Sequence, residues 1–181
     1  VLVLVEPGVY EEERVRVGGG QRVSIWRCDR GSEPNKKEMQ RVEWRSRNGS
    51  TLFAYGSAAV VSVNGMHMSA VKSEGYDGEG FSCVVAYDGA TLSLELCDLT
   101  CECDYAVVQI SDAGSAAIIS GCCIHDGESS GVNITDGASA TLENNNIHSN
   151  TQQGVTVQDE GSKAVLRGNS IHDGKGSGVL I

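Results

Sequence analysis

Positive charge and aromatic rings are both scarce in this sequence. Lys and Arg number 14 against 24 Asp and Glu, giving a formal net charge of −10 over 181 residues. That balance makes nucleic acid and anionic membrane poor partners. Aromatics are only 5 %. From Phe81 onward they are Phe81, Tyr87 and Tyr105, with Trp26 and Trp44 far away in the chain, so little is left for stacking against sugar rings. No run of 18 apolar residues exists, so no helical membrane span is expected. There is no initiating Met. The opening Val-Leu-Val-Leu-Val reads as a strand rather than a signal peptide. The other end stops in strand-like Val179-Leu-Ile181. The expectation is a piece of a longer or processed chain, with more coils or a partner over the apolar end.

What is present is a repeat. Ile119-Ser-Gly-Cys-Cys-Ile-His125 is followed by Gly131-Val-Asn-Ile134, Leu142-Glu-Asn-Asn-Asn-Ile-His148 by Gly154-Val-Thr-Val157, and Leu166-Arg-Gly-Asn-Ser-Ile-His172 by Gly178-Val-Leu-Ile181. Ile124 and Ile147 are 23 residues apart, and Ile147 and Ile171 are 24. Leu94–Leu99 extends the series backward, and Val61-Ser-Val-Asn-Gly-Met-His67 reads as a still earlier copy. Within each unit apolar residues alternate, as in Val132/Ile134 and Val155/Val157, which marks short strands with one buried face. Asp-Gly and Asp-Glu-Gly turns separate them.

A unit of about 24 residues with two or three strands is one coil of a solenoid, which must stack on its neighbours to bury its apolar edge. The fold class is therefore all-β, a right-handed, single-stranded parallel β-helix. The leucine-rich L-x-x-L-x-L-x-x-N pattern and the period of six of left-handed helices are both absent. Residues 1–181 read as one domain. Residues 1–80 are irregular, with insertions near 29–41 and 69–80, and residues 81–181 are regular.

Equivalent residues of successive coils stack about 4.8 Å apart. The alignment predicts an inward ladder of Asn64, Cys97, Cys122, Asn145 and Asn169, whose side chains satisfy backbone groups at a sharp bend. It also predicts a column of His67, His125, His148 and His172, with Thr100 in the intervening coil. Asp126, Asp173, Asn150, Glu128 and Ser149 flank this column. Such an edge could hold a glycan, a metal or a pH-sensitive contact, although duplication alone copies a tolerated turn residue into a column. Three ligands in a straight line make a poor tetrahedron. The seven cysteines read as packing residues in a reducing, intracellular compartment such as cytoplasm, nucleus or organelle matrix. The Cys101-x-Cys103 and Cys122-Cys123 pairs lack structural-zinc spacing. No metal and no cofactor is expected.

Asn169-Ser-Ile-His-Asp-Gly-Lys-Gly-Ser-Gly-Val179, the run Gly131–Ile147, and Val3-Leu-Val-Glu-Pro-Gly-Val-Tyr-Glu-Glu12 with Val23-Ser-Ile25 resemble the CASH-type parallel β-helix repeat. They are most similar to the version in β-helix F-box proteins. The resemblance implies the pectin-lyase-like fold. In the F-box members the β-helix is a protein-recognition module, but no F-box occurs in this chain.

The lyases and hydrolases of the fold need a Lys or Arg base beside clustered Asp, or paired Asp. From residue 81 on, the only cations are Lys163, Arg167 and Lys175. Asn133-Ile-Thr-Asp136 echoes a hydrolase motif only as a strand entering a turn. The epimerase Asp-Pro-His-Asp motif is missing, since the only prolines are Pro7 and Pro34. The expectation is a non-enzymatic protein-interaction or structural scaffold, with protein partners in a multi-subunit assembly. The alternative is a carbohydrate-binding or carbohydrate-active protein using the His edge.

Overall fold

The computed structural model describes residues 1–6, 8–11, 14–18, 20–27 and 42–181. The predicted insertion at 29–41 lies outside them, as do Cys28, Pro7 and Glu12. The described chain contains only strands and turns, in three parallel sheets of seven strands each. Each coil contributes one strand to each sheet. Coils 1 to 3 comprise Leu2–Val5, Gly8–Glu11 and Val15–Gly18, then Arg22–Arg27, Val42–Arg47 and Leu52–Tyr55, then Val60–Asn64, His67–Val71 and Val84–Tyr87. Coils 4 and 5 are Thr91–Glu95, Asp98–Cys101 and Val108–Ile110, then Ala116–Ser120, Cys123–His125 and Val132–Ile134. Coils 6 and 7 are Ser139–Glu143, Asn146–His148 and Val155–Val157, then Lys163–Arg167, Ser170–His172 and Val179–Leu180. The strands of each coil belong, in order, to sheets A, B and C.

The core is a set of stacked apolar columns. Val63, Leu94, Ile119, Leu142 and Leu166 align in sheet A, Met68, Leu99, Ile124, Ile147 and Ile171 in sheet B, and Leu52, Val84, Val108, Val132 and Val155 in sheet C. Alternation puts their neighbours outside. The predicted insertion at 69–80 begins later than expected. Ser69, Ala70 and Val71 continue a strand, with Ala70 paired to Cys101, and the connection occupies 72–83.

The corners explain the run of three asparagines. Between sheets A and B of coils 3 to 7, one residue in each takes a left-handed conformation: Gly65, Leu96, Gly121, Asn144 and Gly168. Asn144 fills it at φ 54°, a region Asn tolerates well. Asn145, next in line, points inward and is buried, and Asn146 begins the outer face of sheet B. Three identical residues thus do three different jobs.

The inward ladder is real from coil 4 on. Asn145 Oδ1 accepts the Cys122 N–H at 2.9 Å, and Asn169 Oδ1 accepts the Asn145 N–H at 2.9 Å. Asn145 Nδ2 donates to the Ile119 carbonyl, and Asn169 Nδ2 to that of Leu142. Cys122 and Cys97 each supply half of this through sulfur: Cys122 Sγ accepts the Cys97 N–H at 3.4 Å, and Cys97 Sγ donates to the Val63 carbonyl at 3.6 Å. Asn64 is a correction. It pairs with Glu95, faces outward and donates to the Glu95 carboxylate at 2.7 Å, while Met66 takes the inward position. The sequence alignment had set Val61 against Leu94, but Val63 pairs with Leu94. A slip of two residues keeps each side chain within a strand on its own face, so alternation does not reveal it, and only past the corner does it turn Asn64 from inward to outward.

Candidate functional site

The outer face of sheet B carries two neighbouring columns. One is Glu43, His67, Asp98, Cys123, Asn146 and Ser170. The other, two residues further along each strand, is Arg45, Ser69 and Thr100, continued in the next coils by His125, His148 and His172. His67 is therefore not in the histidine column. It pairs with Asp98 instead, for the same two-residue reason that moved Asn64.

The three remaining imidazoles form a flat pile. Ring centroids of His125 and His148 are 5.0 Å apart with a 3° tilt, and those of His148 and His172 are 5.4 Å apart with an 11° tilt. Each ring is fixed at both nitrogens. Nδ1 meets the next side chain in sequence: Asp126 at 2.7 Å, Ser149 at 3.0 Å and Asp173 at 2.7 Å. Nε2 leans back diagonally to the other column on the preceding coil. His125 reaches Asp98 Oδ1 at 2.7 Å, His148 reaches Cys123 Sγ at 3.4 Å, and His172 reaches Asn146 Oδ1 at 2.9 Å. Asp126, Ser149 and Asp173 all sit at positive φ, which turns their side chains back to the ring.

Residues 50–181 match the family described as right handed beta helix region. The chain belongs to the right-handed β-helix family. No curated protein and no solved structure matches it.

In this β-helix Asp98 meets a histidine through each of its carboxylate oxygens. Its Oδ1 contacts His125, and its Oδ2 lies 3.1 Å from His67 Nδ1. Hydrogen bonds from His125 first, then His67, hold its carboxyl far below the usual carboxylate range. The same bond raises the His125 imidazole, against its partial burial and with help from Asp126. Burial first, and then the Asp98 charge, push the Cys123 thiol up. Ligand-type atoms of Asp98, Cys123 and His125 all lie within 4.8 Å of one another, and all three residues are half-buried.

Asn150 departs from the sequence reading. It is buried, accepts the Gly127 N–H at 3.0 Å and donates to the Ile124 carbonyl at 3.2 Å. It closes the corner after sheet B and is not part of an exposed edge. Asp126 and Asp173 do flank the ring pile. Sequence reasoning missed Asp98 and took Cys123 as packing. The signal for both was available: the position two before Thr100, His125, His148 and His172 varies as Asp98, Cys123, Asn146 and Ser170 while its neighbours repeat.

A second group was also missed. Phe53, Tyr55 and Tyr87 gather on the outside of sheet C, with centroids of Phe53 and Tyr87 5.0 Å apart and of Tyr55 and Tyr87 6.0 Å apart. Two of the three lie before the regular repeat, where the sequence pattern gives no register.

Proposed function

We propose that this β-helix is a non-enzymatic scaffold that docks protein partners on a flat sheet face. The outer face of sheet A carries the reading. Its central column, Ser62, Ser93, Ile118, Thr141 and Val165, is uncharged, and Ile118 and Val165 are 54 % and 42 % exposed. Glu95, Glu143 and Arg167 lie along one side of it. An uncharged centre with exposed Ile118 and Val165 and a charged margin fits the composition of a protein interface.

Two surface hollows, of about 140 Å³ and 130 Å³, are small beside ligand pockets of roughly 300–1,000 Å³. The resemblance to the recognition module of F-box proteins points the same way. A net charge of −10 favours a basic partner. Cysteines held as free thiols fit a reducing compartment.

The test is affinity capture from extract of the source cells, comparing the native chain with an Ile118→Glu/Val165→Glu variant. A stoichiometric protein retained by the first and lost by the second supports the reading. Equal retention by both moves docking off sheet A, and no retained protein removes the scaffold reading.

The aromatic group on sheet C favours one second reading, glycan binding. Tyr55 is 37 % exposed and stacks with Tyr87 at a 25° interplanar angle. A glycan-array signal lost with Tyr87→Ala but kept by the sheet A variant would put carbohydrate in place of protein.

A further inference from the structure

Duplication accounts for the histidine pile, since the same Ile-His pair recurs in three coils. It does not account for the column beside it. There the rungs diverge, and one step holds a carboxylate, a thiol and an imidazole together. Asp98 and Cys123 are direct partners on adjacent strands, and His125 closes the group from two residues along.

We infer that Asp98, Cys123 and His125 bind a divalent transition ion of the zinc class. The three donor atoms lie within 4.8 Å of one another. An ion with bonds of about 2.0–2.3 Å needs its donors roughly 3–4 Å apart, which small side-chain rotations supply here. His125 has the supporting contact that a metal-binding histidine needs. With Nε2 turned to the site, Nδ1 lies 2.7 Å from the Asp126 carboxylate, which fixes the tautomer and ring plane.

The strands on either side are part of a stacked ladder, so the positions are rigid. One thiolate, one imidazole and one carboxylate suit zinc-class ions and poorly suit Ca²⁺ or Mg²⁺. Binding releases the Cys123 thiol proton and the proton held between His125 and Asp98. Three protein ligands leave a fourth tetrahedral position open, flanked by His148, whose Nε2 is 3.4 Å from the Cys123 sulfur.

The test uses the intact chain, stripped with a chelator. Zn²⁺ is titrated by calorimetry and Co²⁺ by absorption. One equivalent of Co²⁺ with a thiolate-to-cobalt charge-transfer band is expected. The band and the Zn²⁺ heat should both vanish in Cys123→Ser and Asp98→Asn. Asp126→Asn should weaken binding by about 10–100-fold, and His172→Gln should bind as the native chain does. Zn²⁺ should also protect Cys123 of the native chain from alkylation, a readout that needs no variant to fold. Absence of saturable binding, a band that persists in Cys123→Ser, loss of binding in His172→Gln, displacement by equimolar Ca²⁺, or no protection of Cys123 would each overturn the assignment.

Discussion

Asn145 accepts the backbone N–H of Cys122 on its side-chain oxygen and donates its amide N–H to the carbonyl of Ile119, both at 2.9 Å and both buried. One side chain thus ties a corner to the coil beneath it. Replacing it with Leu keeps the volume but leaves the buried Cys122 N–H without its partner and removes one of the bonds to the Ile119 carbonyl, and a buried group left unpaired costs about 1–3 kcal/mol. Asn145→Leu should therefore lower stability by roughly 1–3 kcal/mol, and Asn145→Cys by less, because Cys97 and Cys122 occupy the equivalent position. Urea midpoints decide it. A Leu variant as stable as the native chain would show that the ladder contributes nothing.

The glycine before each of the last three sheet C strands offers a contrast within one repeat position. A Cβ on Gly131 would lie 2.7 Å from the Gly154 carbonyl oxygen and 2.7 Å from Ile147, and one on Gly154 2.7 Å from the Gly178 oxygen. On Gly178 it would meet only Ile171, at 3.7 Å. Gly131→Ala and Gly154→Ala should each cost about 1–3 kcal/mol through overpacking, while Gly178→Ala should be nearly neutral. Thermal melts of the three variants test the ordering, and three equal shifts would contradict it.

Those glycines were visible in the sequence because the coils from residue 81 on repeat closely enough to fix register. Leu94, Ile119, Leu142 and Leu166 fell into one column by inspection and pair that way. Coil 3 did not. Its Val61-Ser-Val63 offers two equally apolar positions two apart, so burial alone cannot choose between them. His67 and Asn64 were misplaced together for that reason. The candidate site was half legible. The histidines repeat, so they could be seen. Asp98 and Cys123 matter through a diagonal between adjacent columns, which only register reveals.

The imidazole pile itself should be worth little. Aromatic pairs contribute about 0.5–1.5 kcal/mol beyond area, and His148 sits between two rings. His148→Ala should cost about 1 kcal/mol. A double-mutant cycle with His125→Ala isolates the pair term. Coupling indistinguishable from zero would mean the rings are stacked only because their strands are.

Cys83 lies wholly inside the coil, with its sulfur 3.8 Å from the Thr51 hydroxyl. Burial pushes its thiol up to about 12, against the opposing effect of its hydrogen bond with Thr51, and burial likewise raises Cys101. The sign follows from linkage. A thiol with a raised folded pKa contributes stability that is complete below the unfolded value of about 8.5 and is lost as pH climbs toward the folded value. The native chain should therefore lose stability between pH 9 and about 12 more steeply than Cys83→Ala does. The variant should be the less stable of the two at pH 7, because it leaves a cavity. Denaturant midpoints across that range read the slope. Iodoacetamide at pH 8 should leave Cys83 and Cys101 unmodified in the chelator-treated native chain while Cys123, the one described cysteine that is not buried, reacts first. Early labelling of Cys83, or parallel alkaline slopes for the two chains, would show that this interior admits charge and water.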